Sequence, residues 1–311
     1  MIRLTYFKGL ILFLLALPSW AQDLSPLRFN EAWKQKIFTL APEKPRFPSP
    51  EKHRLLIFSL HTGFEHWVIP HTEEMISLLA EKSGVFEVVR SKDILVFEPD
   101  SLAQFDALIL NNTCSKPDHR HLFWDQLKAQ FPLEDSIQLM QQALRYEEHL
   151  LNYVKDGGGL LLIHGAVTTL NNSSRFSTLV GASFDYHPPQ QLVHVQLEDP
   201  NHPLVAAFPK EGWSHIDEPY FYKNAYQNLD FKPLMYFENS QIRDQRKGQE
   251  LKEGKTYVSW IRAEEKGKVM YISPSHNAHS FENPALLQFF LDGMQYVVGD
   301  VSCDETPLGK Q

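Results

Sequence analysis

The chain has 311 residues, 43% of them apolar and 22% charged, with 21 Phe and 11 Tyr, enough to bury a sizeable core in one large α/β domain or two small ones. That composition excludes the disordered, collagenous and disulfide-framework classes. A formal charge of −8 without any Lys/Arg run leaves no footprint for nucleic acid or anionic lipid.

Residues 1–21 read as a cleavable export signal. Arg3 and Lys8 form a basic n-region, Gly9 to Leu17 an apolar stretch, and Ser19-Trp20-Ala21 a small-x-small cleavage site. The apolar stretch is about half of what a spanning helix needs, and no Cys follows it for lipid attachment. The expected location is periplasmic or secreted, with no stable membrane insertion; an uncleaved anchor is the alternative. Cys114 and Cys303 would then meet an oxidising compartment, and a disulfide between them is left open.

Residues 22–52 are Pro-rich and mixed in charge, which reads as a surface-hugging arm or linker before a domain over 53–299. Arg54 to Leu60 is a near-continuous apolar run, the mark of a strand buried on both faces. Ile69 to Lys82 follows as a helix with Met75, Leu78 and Leu79 on one face. Phe86 to Arg90 and Ala107 to Asn111 are further strands. Ser136 to Val154 is the strongest helix, with Ile137, Met140, Leu144, Leu151 and Val154 as its apolar stripe and Gly157-Gly158-Gly159 closing it.

Leu160 to Ile163 is a short apolar strand. Leu192 to Leu197, Leu234 to Phe237, Tyr257 to Ile261 and Val269 to Ile272 follow as strand candidates, and Asn283 to Val298 is a closing helix with Pro284 in its first turn. Residues 300–311 read as an exposed polar tail. Buried strands alternating with amphipathic helices predict one doubly wound, parallel or mostly parallel sheet. Ligands of such sheets sit beyond the carboxyl ends of the strands.

Several of the 14 histidines fall at those ends. His61 and His66 follow the first strand, His164 ends the Leu160 strand, and His276 and His279 follow the Val269 strand. His187, His202, Asp217 and Glu218 lie in connecting segments. His187 and His202 precede prolines and equally suit turn residues. His53, His119, His121 and His149 read as surface residues, and His71 as a helix-start residue.

His164 stands at a strand-to-helix turn of the kind that thrusts a side chain into the crevice. With no thiol or hydroxyl at that elbow, covalent acyl chemistry is disfavoured. Imidazoles and carboxylates there can ligate a divalent metal such as zinc, or can act directly as acid and base. Trp67, Tyr186, Trp213, Tyr220 and Tyr222 crowd the same segments with flat faces that suit sugar rings, although each also suits an ordinary core role.

Together these segments resemble the ThuA-like trehalose-utilisation family of the class I glutamine-amidotransferase-like superfamily. The matching stretches are Thr62 to His66 with Ile69-Pro70, Gly157 to Gly159 through His164-Gly165-Ala166, and Leu179 to Ala182 with Phe184 and His187-Pro188. His202-Pro203, Asp217-Glu218, Gly267 to Val269 with Ser275-His276, and Leu291 to Met294 complete the set. Glu65 stands where a basic residue is common, and Ser275 where Gly usually precedes the His. The resemblance implies a flavodoxin-like sheet without the amidotransferase Cys, and a role in sugar catabolism near oxidoreductases that make 3-keto sugars. Its polar motif positions fall on His66, His164, His187, His202, Asp217, Glu218 and His276.

The resulting expectation is an exported enzyme acting on an oxidised (3-keto) sugar or glycoside. Glu218 or Asp217 would be the base. His164 and His66 would polarise the carbonyl, alone or through a metal such as zinc held with His276. Trp67, His187, Tyr220 and His276 would line the substrate. No nucleotide cofactor is indicated, and homo-oligomerisation is left open. The alternatives are a metal-dependent glycoside or ester hydrolase and a non-catalytic sugar-binding module.

Overall fold

Residues 24–243 and 253–310 are described by a computed structural model; residues 1–21, expected to be an export signal, lie outside them. The arm carries a helix, α1 (Glu31–Leu40), where only an arm or linker was expected. The Asn30 side chain accepts from the Trp33 backbone N–H at 3.0 Å and so caps its start. Trp33 and Ile37 are buried. The Lys82 ammonium donates to the Phe38 and Ala41 carbonyls at the other end. The segment is thereby part of the same core as the sheet.

β1 (His53–Phe58) leads into α2 (Ile69–Ser83), β2 (Phe86–Ser91), the single turn α3 (Pro99–Leu102) and β3 (Ala107–Asn111). α4 (Leu122–Gln130) and α5 (Ser136–Lys155) precede β4 (Gly159–Ile163) and α6 (Ser174–Val180). The strands β5 (Ser183–Tyr186), β6 (Gln191–Leu197), β7 (Trp213–Asp217) and β8 (Phe221–Lys223) come next. β9 (Lys232–Glu238), β10 (Lys255–Glu264), β11 (Gly267–Ile272) and α7 (Pro284–Val297) complete the fold. Among the described residues, no helix is long and apolar enough to cross a membrane.

The main sheet runs β2-β1-β3-β4-β11-β10-β9-β6-β7. Its first five strands are parallel, as the buried runs predicted. The last four extend it antiparallel, a direction that apolar runs do not encode. Successive residues of the parallel strands face opposite ways. Leu55, Ile57, Ile109, Leu161 and Ile163 pack in a layer with α1, α2 and α7. Leu56, Phe58, Leu108, Leu110 and Leu162 pack in a layer with α4, α5 and α6. Both faces are covered, which is why these strands read as unbroken apolar runs.

Several readings of single residues are corrected. α5 buries Leu139, Ala143, Tyr146, Leu150, Leu151 and Val154, whereas Ile137 and Leu144 of the expected stripe are exposed. His53 is buried, its Nε2 lying 3.1 Å from the Asp300 carboxylate. His121 is buried too, capping α4 and facing Glu147 at 3.4 Å. The two cysteines are free, because Cys114 follows the carboxyl end of β3 while Cys303 packs near Lys268, at the amino end of parallel β11. The tail is docked rather than loose: Asp304 pairs with Lys232, Glu305 with Lys268, and the Leu308 N–H donates to the Phe231 carbonyl.

Candidate functional site

The parallel topology brings the loops after β1, β3, β4 and β11 to one edge of the sheet. After β4 the chain turns at His164, whose φ of 45° lies in the left-handed region. For a residue with a Cβ such a turn costs on the order of 1–3 kcal/mol and is kept only where its surroundings over-determine it. Here they do. His164 is fully buried, its carbonyl accepts from the Tyr271 hydroxyl at 3.1 Å, and its ring packs 4.2 Å from the Tyr220 ring. Its Nδ1 lies 2.9 Å from the Ser273 carbonyl. A carbonyl only accepts, so Nδ1 carries the proton and Nε2 keeps a lone pair.

His66 hangs from the loop between β1 and α2. Thr62 and Gly63 of that loop donate backbone N–H groups to the Cys114 carbonyl at 2.9 and 3.0 Å, and the Thr62 hydroxyl donates to Asp125 at 2.7 Å. His276 follows β11. Glu218 follows β7, the far edge strand, so the antiparallel extension supplies the carboxylate that the parallel strands lack. One oxygen of Asp217 joins the two, accepting from the backbone N–H of Glu218 at 2.9 Å and of His276 at 3.2 Å.

His66, His164, His276 and Glu218 each offer one ligand atom, and these four atoms lie within 4.8 Å of one another. The Glu218 Oε2 is 3.2 Å from His276 Nδ1 and 3.5 Å from His164 Nε2. His276 Nδ1 and His164 Nε2 are themselves 3.2 Å apart. Among the described residues this is the one such cluster of three or more His, Cys, Asp or Glu ligands. Its electrostatics follow from burial. Desolvation pushes His164 down to about 4 and His66 well below the ordinary imidazole range, so both are neutral. Burial works to raise the Glu218 carboxyl, but the His164 and His276 imidazoles beside it outweigh that and hold the group well below the usual carboxylate range. The set is two neutral imidazoles, a third imidazole and an anion, all aimed at one point.

Of the other expected site residues, Asp217 lies behind the cluster. It is buried, desolvation raises it to about 7, and its second oxygen is 3.4 Å from His215 Nδ1. His187 is on the rim, exposed, stacked 5.5 Å from Tyr220, with Nδ1 3.8 Å from the Glu218 Oε1. Tyr220 is buried between His164 and His187. Trp67 is not brought to the cluster: its ring contacts are His71 and His279, and it packs on the apolar layer of α2. His202 serves as a cap and a tie to the tail, donating from Nε2 to the Asp304 carbonyl at 3.1 Å.

One residue of the site was not anticipated. Cys114, just beyond β3, has its sulfur 3.6 Å from His66 Nδ1 and 3.4 Å from the Gly165 carbonyl. The strand-end rule points to it as directly as to His164, but its flanks carry no sign of a reactive thiol. The flanks are right in one respect: burial pushes the thiol up to about 12, so it is protonated and no nucleophile. Thr168 and Thr169 give their hydroxyls to the Gly165 and Ala166 carbonyls.

The fold is shared with solved structures of low sequence identity. A ThuA-like protein from Bacteroides uniformis is 18% identical, with a TM-score of 0.57 over 82% of this chain and 93% of that one. Another from Parabacteroides merdae is 15% identical, with a TM-score of 0.56 over 84% of this chain and all of that one. A cytoplasmic protein from Salmonella typhimurium is 14% identical, with a TM-score of 0.51 over 79% and 98%. No curated protein matches the sequence. The ThuA family model, described as trehalose utilisation, matches residues 54–297, most of the chain and all of the elements that carry the cluster. By that match the chain belongs to the ThuA trehalose-utilisation family.

Proposed function

We propose that this protein is an exported enzyme that converts an oxidised (keto) sugar or glycoside at the His66–His164–His276–Glu218 cluster, and that the cluster holds a divalent cation such as zinc. The convergence of four donor atoms within 4.8 Å carries the reading. The donor set fits such a cation: the His66 and His164 imidazoles held neutral by burial, the His276 imidazole, one carboxylate, and a backbone carbonyl behind His164 fixing its tautomer. Bound there, the cation supplies Lewis-acid polarisation of a sugar carbonyl oxygen. The family's association with trehalose utilisation supports a carbohydrate as substrate.

The protein's own groups divide the remaining work. A ketone acidifies the adjacent C–H, so elimination needs only a base and stabilisation of the enolate. The base takes that proton, the C–H pair becomes the enolate, the β C–O bond breaks, and the leaving oxygen takes a proton. Glu218, expected as the base, turns Oε2 inward between two imidazoles. Set within 3.2–3.5 Å of both imidazoles, that oxygen suits holding the cation rather than taking a proton. His187 is better placed for the proton. Its Nδ1 donates to the Pro188 carbonyl at 3.0 Å, which leaves Nε2 as the basic atom on the open rim. Asp217 anchors the backbone of Glu218 and His276 and stays out of the reaction.

The test is incubation of the protein with 3-keto-trehalose and 3-keto-glucosides, zinc supplied, following release of free sugar. Loss of keto-sugar that disappears in His164→Ala and Glu218→Gln and falls in His187→Asn is the expected result. Undiminished turnover in His164→Ala and Glu218→Gln would refute the assignment. Conversion of unoxidised glycosides alone would replace it with hydrolysis, and saturable sugar binding without turnover would replace it with a binding module.

A further inference from the structure

The Cys114 side chain touches the cluster without belonging to it. We propose that Cys114 is a positioning residue: its sulfur accepts the Nδ1–H of His66 and so holds that imidazole in the tautomer whose Nε2 keeps a lone pair for the cluster. The inference rests on the cluster reading above and adds a residue to it.

The hydrogen positions follow from the neighbours. The sulfur sits 3.4 Å from the Gly165 carbonyl oxygen. Two electron-rich atoms at that separation attract only with a hydrogen between them, and the carbonyl has none to give. The single S–H therefore points at Gly165. The sulfur then meets His66 Nδ1, 3.6 Å away, as an acceptor, and Nδ1 is the donor.

Packing locks the arrangement. A Cβ built on Gly165 would lie 2.6 Å from the Cys114 sulfur and 2.8 Å from His66 Cε1, so thiol, glycine and imidazole fill the space between them. The Cys114 backbone acts separately, its carbonyl accepting from Thr62 and Gly63 and tying down the loop that carries His66. Truncating the side chain removes the first function and leaves the second in place. The same logic holds His164, where a backbone carbonyl rather than a thiol fixes the tautomer.

The test compares full-length parent, Cys114→Ala and Cys114→Ser after chelation. Imidazole 15N spectra read the His66 tautomer, calorimetric zinc titration reads affinity, and thermal unfolding checks the fold. The parent is expected to show His66 protonated at Nδ1. Cys114→Ala is expected to show a mixture of tautomers and to bind zinc about 10–100-fold more weakly. Cys114→Ser, which restores an acceptor, should recover most of both. A Cys114→Ala protein with the parental tautomer and zinc affinity would overturn the inference. So would a Cys114→Ser protein no better than Cys114→Ala. If the parent binds no zinc, the cluster reading fails, while the tautomer spectra still decide the role of Cys114.

Discussion

Gly165→Ala probes the tightest point of the site. The added Cβ would stand 2.6 Å from the Cys114 sulfur and 2.8 Å from His66 Cε1, where ordinary contact begins at 3.4 Å. The sulfur must therefore retreat by roughly 0.8 Å and the ring by roughly 0.6 Å, and both are buried side chains. Overpacking of this kind costs about 1–3 kcal/mol. For a domain of this size that lowers Tm by about 2–5 °C. The retreat also carries His66 out of register with the other three donors, so zinc affinity should fall about tenfold or more. Differential scanning calorimetry of the chelated protein measures the first effect and a zinc titration the second. A Gly165→Ala protein with the parental Tm and zinc affinity would refute the geometry on which the site is built.

Three other outcomes are expected. The His164 ring is fully buried and the His215 side chain nearly so, and desolvation holds His215 at about 3 and His164 at about 4, below the ordinary imidazole value of 6.5. Their neutral forms stabilise the fold above pH 6.5, and that stability is lost as pH falls through 6.5 toward 4 and 3. At about 1.4 kcal/mol per unit, the upper bound is about 3–5 kcal/mol for each imidazole. His215→Gln should flatten the acid limb of stability against pH in the chelated protein, and an unchanged limb would contradict the assignment. Trp33→Ala should cost about 3–5 kcal/mol in urea unfolding, because α1 belongs to the core; a loss below about 1 kcal/mol would return residues 24–52 to the status of a loose arm. Thiol titration should count two free cysteines per denatured chain, with Cys114 unreactive in the native one, whereas zero would reveal a disulfide.

Much of the parallel half of the sheet was legible because burial on both faces leaves an unbroken apolar run, as in Leu55 to Phe58 and Leu160 to Ile163. The strand-end rule then placed His66, His164 and His276 together. The site's fourth member depended on a pairing that the sequence does not display. Glu218 arrives on an antiparallel edge strand whose end is tied to His276 through Asp217. The α5 stripe misled for a different reason. Ile137 and Leu144 are apolar yet exposed, while Glu147 is buried because His121, Ser173 and Arg175 satisfy its carboxylate. His53 was read as a surface residue for the same cause: its partners, Asp300 and Asp106, lie far along the chain. Trp67 shared the His66 segment but turned toward His71 and His279.

The four-residue cluster is the centre of the proposed site, and calorimetric zinc titration of the chelated protein tests it most directly. One site per chain is predicted for the parent. Its affinity should fall at least about 100-fold in His164→Ala and in Glu218→Gln, as removal of a ligand rather than of a supporting group requires. Absence of a site in the parent, or zinc binding that survives both substitutions, would contradict it.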